Sequence, residues 1–192
     1  ERPPNVNEVG VVKVSAVTWG EYDEEESKTC QDDSMVRPEL FVNPGDFLFS
    51  RANTIELVGA CVIAQQVTKK IMLSDKILRF EFVSDEFKTW LLMVLRSELG
   101  RHFIELFSTG NQESMRNIGQ DRIRNIPIPM PSLAEIEQGS QMCAGRTDEA
   151  RAQEDAIRIA LEKAAAQRKN ILNSAFSGQL VPQDPNDEPA SA

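Results

Sequence analysis

Apolar residues up to about position 131 recur at the spacing of strands and one short helix, and beyond it they recur at the spacing of a single long helix. Val12, Val14 and Ala16 alternate with Lys13 and Ser15, which predicts a half-buried strand ending at Trp19-Gly20. Leu40-Phe41-Val42 and Phe47-Leu48-Phe49 flank Asn43-Pro44-Gly45-Asp46, so two strand pieces are expected about a turn set by the fixed φ of Pro and the freedom of Gly. Further strands are expected within Val58 to Val67 and Ile77 to Phe82. From Ser84, a candidate N-cap followed by Asp85 and Glu86, the positions Phe87, Leu91, Val94 and Leu95 take helical spacing, and the helix is expected to run to Phe107. The stretch Ser108 to Ser114 holds too many turn formers to continue it and reads as an exposed loop. Ile126-Pro127-Ile128-Pro129-Met130-Pro131 cannot be helical, because each Pro drives its predecessor to extended geometry, and marks a domain boundary.

Leu133 to Phe176 contains no Pro and is rich in Ala, Glu, Gln, Arg and Leu, the residues that lose least on entering a helix. Ile136, Cys143, Ala150, Ile157, Ala164 and Ile171 recur at every seventh position, as a helix packed along another helix requires, and the seam is densest after residue 156. Ile157, Leu161, Ala164, Ile171 and Leu172 are therefore the candidate helix-pairing face. About 40 residues at the helical rise reach on the order of 60 Å, more than a small domain needs to cover its own core, so such a helix requires a partner. Gly178 is a stop signal, and the Pro-rich and acidic stretch after it has the composition of a disordered tail. The expected organisation is a globular domain over 1–131, a long helix over 132–178 and a tail over 179–192. The fold class is α+β: a globular mixed-sheet domain followed by one long coiled-coil-forming helix.

Charge complicates any reading that involves nucleic acid, because the chain of 192 residues carries a formal net charge of -9 and phosphate binding draws its affinity from Lys and Arg. The acidity is local. Glu21, Asp23, Glu24, Glu25, Glu26, Asp32 and Asp33 crowd a stretch with Lys28 as its one base, whereas Ser34 to Pro131 holds 12 Lys and Arg against 11 Asp and Glu. Charge thus permits a basic face without requiring one. Cys30, Cys61 and Cys143 stand far apart with neither disulfide-framework nor zinc-finger spacing, which points to a reducing cytoplasm. No apolar stretch nears the roughly 20 residues that span a bilayer, so no membrane association is expected. Glu1-Arg2-Pro3-Pro4 lacks the pattern of a signal peptide, and the initial Glu suggests a piece of a longer chain.

The chemistry of the common enzymes is missing from the residues. There is no GxGxxG or GxxxxGK[ST] phosphate loop, and His102, the lone histidine, cannot build HExxH or a Ser-His-Asp triad. No cofactor and no metal site is expected, since the acidic stretch lacks the ligand order of an EF-hand. Asn43-Pro44 is followed by Gly45-Asp46 and reads as a turn rather than as a methyltransferase motif. What remains is polar. Arg51 and Asn53 follow the strand at Phe47 to Phe49, and their side-chain types pair bidentately with guanine and adenine, although Arg and Asn after a strand also serve simply to solvate or cap it. Asn111, Gln112, Arg116 and Asn117 form a second cluster of base-edge and phosphate donors, or an ordinary connecting loop. Lys69, Lys70 and Lys76 are candidate phosphate contacts, as mobile point charges are suited to that role.

At Phe49-Ser50-Arg51-Ala52-Asn53-Thr54, Leu57-Val58-Gly59, Ser74-Asp75-Lys76, Ser114-Met115-Arg116-Asn117-Ile118, Ile126-Pro127-Ile128-Pro129-Met130-Pro131, Leu133-Ala134-Glu135 and Asn170 to Val181, the chain resembles the specificity subunit of type I restriction-modification systems, in order and in spacing. It departs at Ile136, where the family pattern tends to place Gln. The resemblance implies a target recognition domain and one conserved spacer helix, similar to the C-terminal half of a two-domain subunit or to a half-subunit that dimerises. It further implies a non-catalytic chain that reads one half of a bipartite double-stranded DNA target. The implied partners are methyltransferase subunits docked on the helix, a restriction subunit joined through the complex, and a second half or second copy paired antiparallel. The competing reading is a coiled-coil assembly protein with a protein-binding head, which accounts for the helix and the charge but not for the ordered motifs.

Overall fold

The computed structural model describes residues 2–181, so the tail expected over 179–192 lies almost wholly outside the described residues. The chain forms two compact units, Glu1–Ser140 and Gln141–Ala192. No helix among the described residues is long and apolar enough to cross a membrane.

Among the described residues, nine short strands, three α-helices and the first turns of a fourth build the first unit. Strand β1 (Val9–Val12) lies between β2 (Ser27–Thr29), which runs antiparallel to it, and β6 (Lys70–Met72), which runs parallel. Strand β3 (Phe47–Ser50) is the centre of a second sheet, with β5 (Cys61–Ile63) and β7 (Ile77–Phe80) antiparallel on its two sides. The continuous apolar run of β3 follows from its place, because both faces of this sheet are covered. Leu48 joins Val12, Val17, Val62, Ile71 and Ile77 in one core. Phe47 and Phe49 point the other way, into a second core with Cys61, Leu95, Ile104, Ile118 and Ile126. Phe80 stacks on both phenylalanines, at centroid distances of 5.4 and 5.2 Å.

Several local expectations are corrected. The alternation over Val12 to Ala16 does not continue as a strand: Val14–Ala16 is a 3-10 turn, closed by Ala16 N–H to Lys13 O at 3.2 Å. Its apolar residues reach the core by turning into it, with Ala16 and Val17 fully buried. Leu40 likewise closes a 3-10 turn, Pro38–Leu40, rather than opening a strand. The acidic stretch contains β2, drawn into the sheet by its pairing with β1. Only Cys61–Ile63 of the run Val58 to Val67 is strand.

The helix expected from Ser84 to Phe107 is two, α1 (Glu86–Arg96) and α2 (Glu98–Phe107), broken at Ser97. Ser97 is extended (ψ 165°) and its hydroxyl accepts from Gly100 N–H at 3.4 Å, so it caps α2. Gly100 allows the fold back: a Cβ there would lie 2.2 Å from the carbonyl oxygen of Val94. Ser84 is not a cap, since Asp85 already has helical angles and no side chain caps α1.

After the short helix α3 (Gln120–Arg124), the Pro-rich segment is free of helix as expected, and Ile126 is buried. Helix α4 (Leu133–Phe176) runs without a break. Ser132 and Glu135 make a reciprocal capping box at its start. The Ser132 hydroxyl and N–H donate to Glu135 Oε2 at 2.7 and 2.9 Å, and Glu135 N–H returns a bond to Ser132 Oγ at 3.4 Å. These bonds hold the Glu135 carboxyl below the usual carboxylate range. The mixed-sheet domain with one long C-terminal helix is the α+β class read from the sequence.

Candidate nucleic-acid interface

The stretch Ser108 to Ser114 is a strand and a turn rather than an exposed loop. Strand β8 (Thr109–Gln112) turns through Glu113-Ser114 into β9 (Met115–Asn117), and β9 pairs in turn with β4 (Ala52–Asn53). The sheet order is β4-β9-β8, with Asn53 opposite Arg116, Ala52 opposite Asn117 and Gln112 opposite Met115. The register shifts between Thr109 and Gln112. Gly110 sits at this irregularity with φ 139°, and a Cβ there would come within 2.3 Å of the Met115 carbonyl oxygen. Two polar clusters that lie some sixty positions apart in the chain thereby become neighbours on one small sheet.

The side chains on this sheet differ in how free they are. Arg51 is fixed through its backbone, donating N–H to Lys76 O and accepting from Ile118 N–H, both at 2.9 Å. Arg51 is half-buried, and its guanidinium has no hydrogen bond or ion pair among the described residues. Asn111 and Gln112 stand exposed at the hairpin tip. Asn53 Oδ1 accepts from Thr54 N–H at 2.9 Å, and its Nδ2 is closed off from solvent without an acceptor. Asn117 is half-buried, and its carbonyl accepts from the Thr109 hydroxyl at 3.2 Å. Arg116 is committed to the hairpin itself: Nη1 donates to Gly110 O at 2.8 Å, Nη2 to Ser108 O at 3.1 Å, and Nε to the Ser108 hydroxyl at 3.2 Å.

The lysines divide. Lys76 adjoins Arg51 through the backbone and is exposed. Lys70 opens β6, in the sheet of β1 rather than in the polar sheet, and Lys69 immediately precedes it. Lys70 is exposed, whereas the Lys69 ammonium pairs with Glu25 and its N–H donates to the Glu24 carboxylate at 3.2 Å. Burial pushes the Glu24 carboxyl up, yet bonds from the Thr68 hydroxyl and from the Thr68 and Lys69 N–H groups outweigh it and bring it below its ordinary range. Part of the acidic stretch is thus already bonded to its own domain.

No family model matches the chain. Over 135 residues, 70% of the chain, it is 35% identical to the type I restriction enzyme EcoEI specificity subunit of Escherichia coli. The chain belongs to the specificity-subunit family of type I restriction enzymes. It spans 23% of the length of that relative.

In this specificity-subunit chain, the side chains that hold the polar sheet in place were not legible in the sequence. Ser108 is buried and serves as the hub for Arg116. Arg122 Nη1 donates to Phe107 O at 2.9 Å, tying α3 to the end of α2 just before β8. Arg96 reaches Cys61 O at 2.8 Å and Gly20 O at 2.7 Å. Each looks like an ordinary surface arginine in a linear reading, because its acceptor is a distant backbone carbonyl. Burial pushes the Cys61 thiol up to about 12, which marks it as packing rather than a nucleophile. Among the described residues no group of three or more His, Cys, Asp or Glu could hold a metal ion.

Along α4 in the second unit, Ile157, Leu161, Ile171 and Leu172 are exposed by 61, 66, 55 and 46%, and Ala164 is exposed too. Ile136, at the head of the heptad seam, is instead buried within the first unit.

Proposed function

We propose that this chain reads one half of a bipartite double-stranded DNA target for a type I restriction-modification complex, carrying out no reaction itself. The observation that carries the reading is the sheet β4-β9-β8, which gathers Asn53, Asn111, Gln112, Arg116 and Asn117, with Arg51 adjoining, on strands anchored to the core. Base reading needs donors held still, and strands hold them better than free loops. Within the set, Arg51, Asn111, Gln112 and Asn117 are the free readers, Arg116 shapes the hairpin, and Lys70 and Lys76 serve phosphate. The net charge of -9 is compatible with this division of labour, because the methyltransferase subunits contribute phosphate contacts of their own. Adenine methylation from S-adenosylmethionine and DNA cleavage belong to the other subunits, and the complex works in the cytoplasm.

Docking of those subunits falls to α4. Its exposed isoleucines and leucines at heptad spacing support pairing with a second, antiparallel helix, from another half of the subunit or from a second copy.

Two experiments test the two parts. In the complex assembled with methyltransferase subunits, Arg51→Ala and Asn117→Ala each weaken binding to a duplex enriched from a randomised pool by about 1 to 3 kcal/mol and leave random-duplex binding unchanged. If both variants keep the parent's specificity ratio, these residues do not read bases. In sedimentation, the double variant Ile157→Asp with Ile171→Asp loses helix pairing and methyltransferase binding, since a buried unpaired carboxylate is heavily penalised. Assembly like the parent's would overturn the helix-pairing face, whereas lost pairing together with no enriched duplex for the parent would favour a coiled-coil assembly protein with a protein-binding head.

A further inference from the structure

Between β4 and β5 the chain makes a loop, Thr54 to Ala60, that is closed on itself by Val58 N–H to Thr54 O at 2.8 Å and Ala60 N–H to Leu57 O at 3.0 Å. Carbonyls of a loop that pair with no strand or helix need other donors, and where the loop is partly buried water cannot supply them all. Here those carbonyls are taken by side chains from remote positions. Arg101 of α2 donates from Nη1 to Val58 O at 2.6 Å and from Nη2 to Ile55 O at 2.9 Å. The Trp19 ring lies over the Arg101 guanidinium at 4.7 Å, and its indole N–H donates to Glu56 O at 2.8 Å. Glu105, one turn along α2, pairs with Arg101 at 3.0 Å.

The opposite side of the loop meets the polar hairpin. Ile55 N–H donates to Glu113 O at 2.8 Å, at the turn between β8 and β9. Besides this bond, the hairpin is hydrogen-bonded to the domain through the short ladder of Ala52 and Asn53 with Asn117 and Arg116 and, at its end, through Ile118 N–H to Arg51 O at 2.9 Å. A two-stranded hairpin alone is marginal in water, so the position of its tip depends on what braces it. The brace runs from α2 through Arg101 to the loop, and from Ile55 to Glu113. Charge-assisted bonds to carbonyls are about twice as strong as neutral ones, and the stacked, ion-paired guanidinium has little freedom to swing away.

We infer that the Arg101–Trp19 clamp is a positioning device for base reading, so that both residues determine specificity by holding the loop Thr54 to Ala60 and the hairpin tip behind Asn111 and Gln112. The inference rests on the DNA-reading proposal above. With its donors used on carbonyls and Glu105, Arg101 adds little phosphate affinity.

The test uses the full 192-residue chain assembled with methyltransferase subunits, and two probes: a duplex enriched by the parent from a randomised pool, and a random duplex of the same length. Arg101→Gln lowers affinity for the enriched duplex about tenfold, the scale of one lost base contact, and leaves the random duplex unaffected. Amide exchange accelerates at Ile55 and Gln112 but not at Phe49 or Val62. Arg101→Lys, which keeps the charge without the fork, restores part of the ratio. Trp19→Phe keeps the ring and loses one donor, giving a smaller change and a folded control should Arg101→Gln not fold. Equal weakening of both duplexes would overturn the inference, making Arg101 a phosphate contact or a folding residue. So would faster exchange with an unchanged ratio, because the clamped loop would then lie outside the reader. If the parent enriches no duplex at all, the DNA-reading proposal itself fails and takes this inference with it.

Discussion

Arg51 and Arg116 are both arginines of the polar sheet, yet the structure assigns them opposite energetics. Replacing Arg116 by Ala removes donors from Gly110 O, Ser108 O and the Ser108 hydroxyl. Gly110 is exposed, and its carbonyl recovers water at little cost. The Ser108 hydroxyl keeps a partner, since it donates to Glu105 O at 2.9 Å. Ser108 is buried, however, so its carbonyl loses a charged donor where water cannot follow. Leaving such a group unsatisfied costs about 1 to 3 kcal/mol, and that sets the expected loss for Arg116→Ala. In urea unfolding followed by Trp19 and Trp90, it lowers the midpoint by roughly 1 M at a slope of about 1 to 3 kcal/mol per M. Arg116→Lys behaves nearly as badly, because an ammonium cannot span two carbonyls and a hydroxyl. Arg51→Ala removes no bond from the folded chain and stays within about 0.5 kcal/mol of the parent. If Arg116→Ala unfolds at the parent midpoint while losing DNA selectivity, the guanidinium is a base reader and not a staple, and the reasoning from Ser108 fails.

Three further outcomes follow from the same bonds. Lys76→Ala or Lys70→Ala lowers the salt slope of DNA binding by about one unit, whereas Lys69→Ala lowers it less, because its ammonium already pairs with Glu25; affinity at several salt concentrations measures this. Ile104→Ala costs about 2 to 5 kcal/mol in the same urea assay, since Ile104 is wholly buried in the aromatic core and its loss leaves a cavity. At the start of α4, the Glu135 carboxyl is held below its ordinary range by the Ser132 hydroxyl and N–H. Its contribution is complete above the unfolded carboxylate value and is lost as pH falls through the lower folded value. Glu135→Gln therefore weakens the capping at neutral pH and matches the parent in acid, as amide exchange at Ser132 against pH will show.

The parts of this protein that the sequence determined by itself are those whose cause is local. Three adjacent apolar residues, Phe47 to Phe49, require cover on both faces, and β3 has it. Prolines at 127, 129 and 131 exclude helix whatever surrounds them, and the run from Leu133 to Phe176 has no residue that would stop one. Tertiary structure decided what depends on a distant partner. Ser27–Thr29 and Lys70–Met72 lack the apolar alternation of strands and become strands because β1 offers them backbone bonds from both sides. Thr109 to Gln112 carries the composition of a loop, and only the approach of Ala52 and Asn53 turns the hairpin it forms into a sheet. The same holds for the arginines. Side-chain chemistry says that Arg51, Arg101 and Arg116 can each donate several bonds, and it says so equally of all three. Which of them keeps its guanidinium unengaged among the described residues and which is consumed by carbonyls is fixed by contacts between segments remote in the chain, which no local pattern encodes.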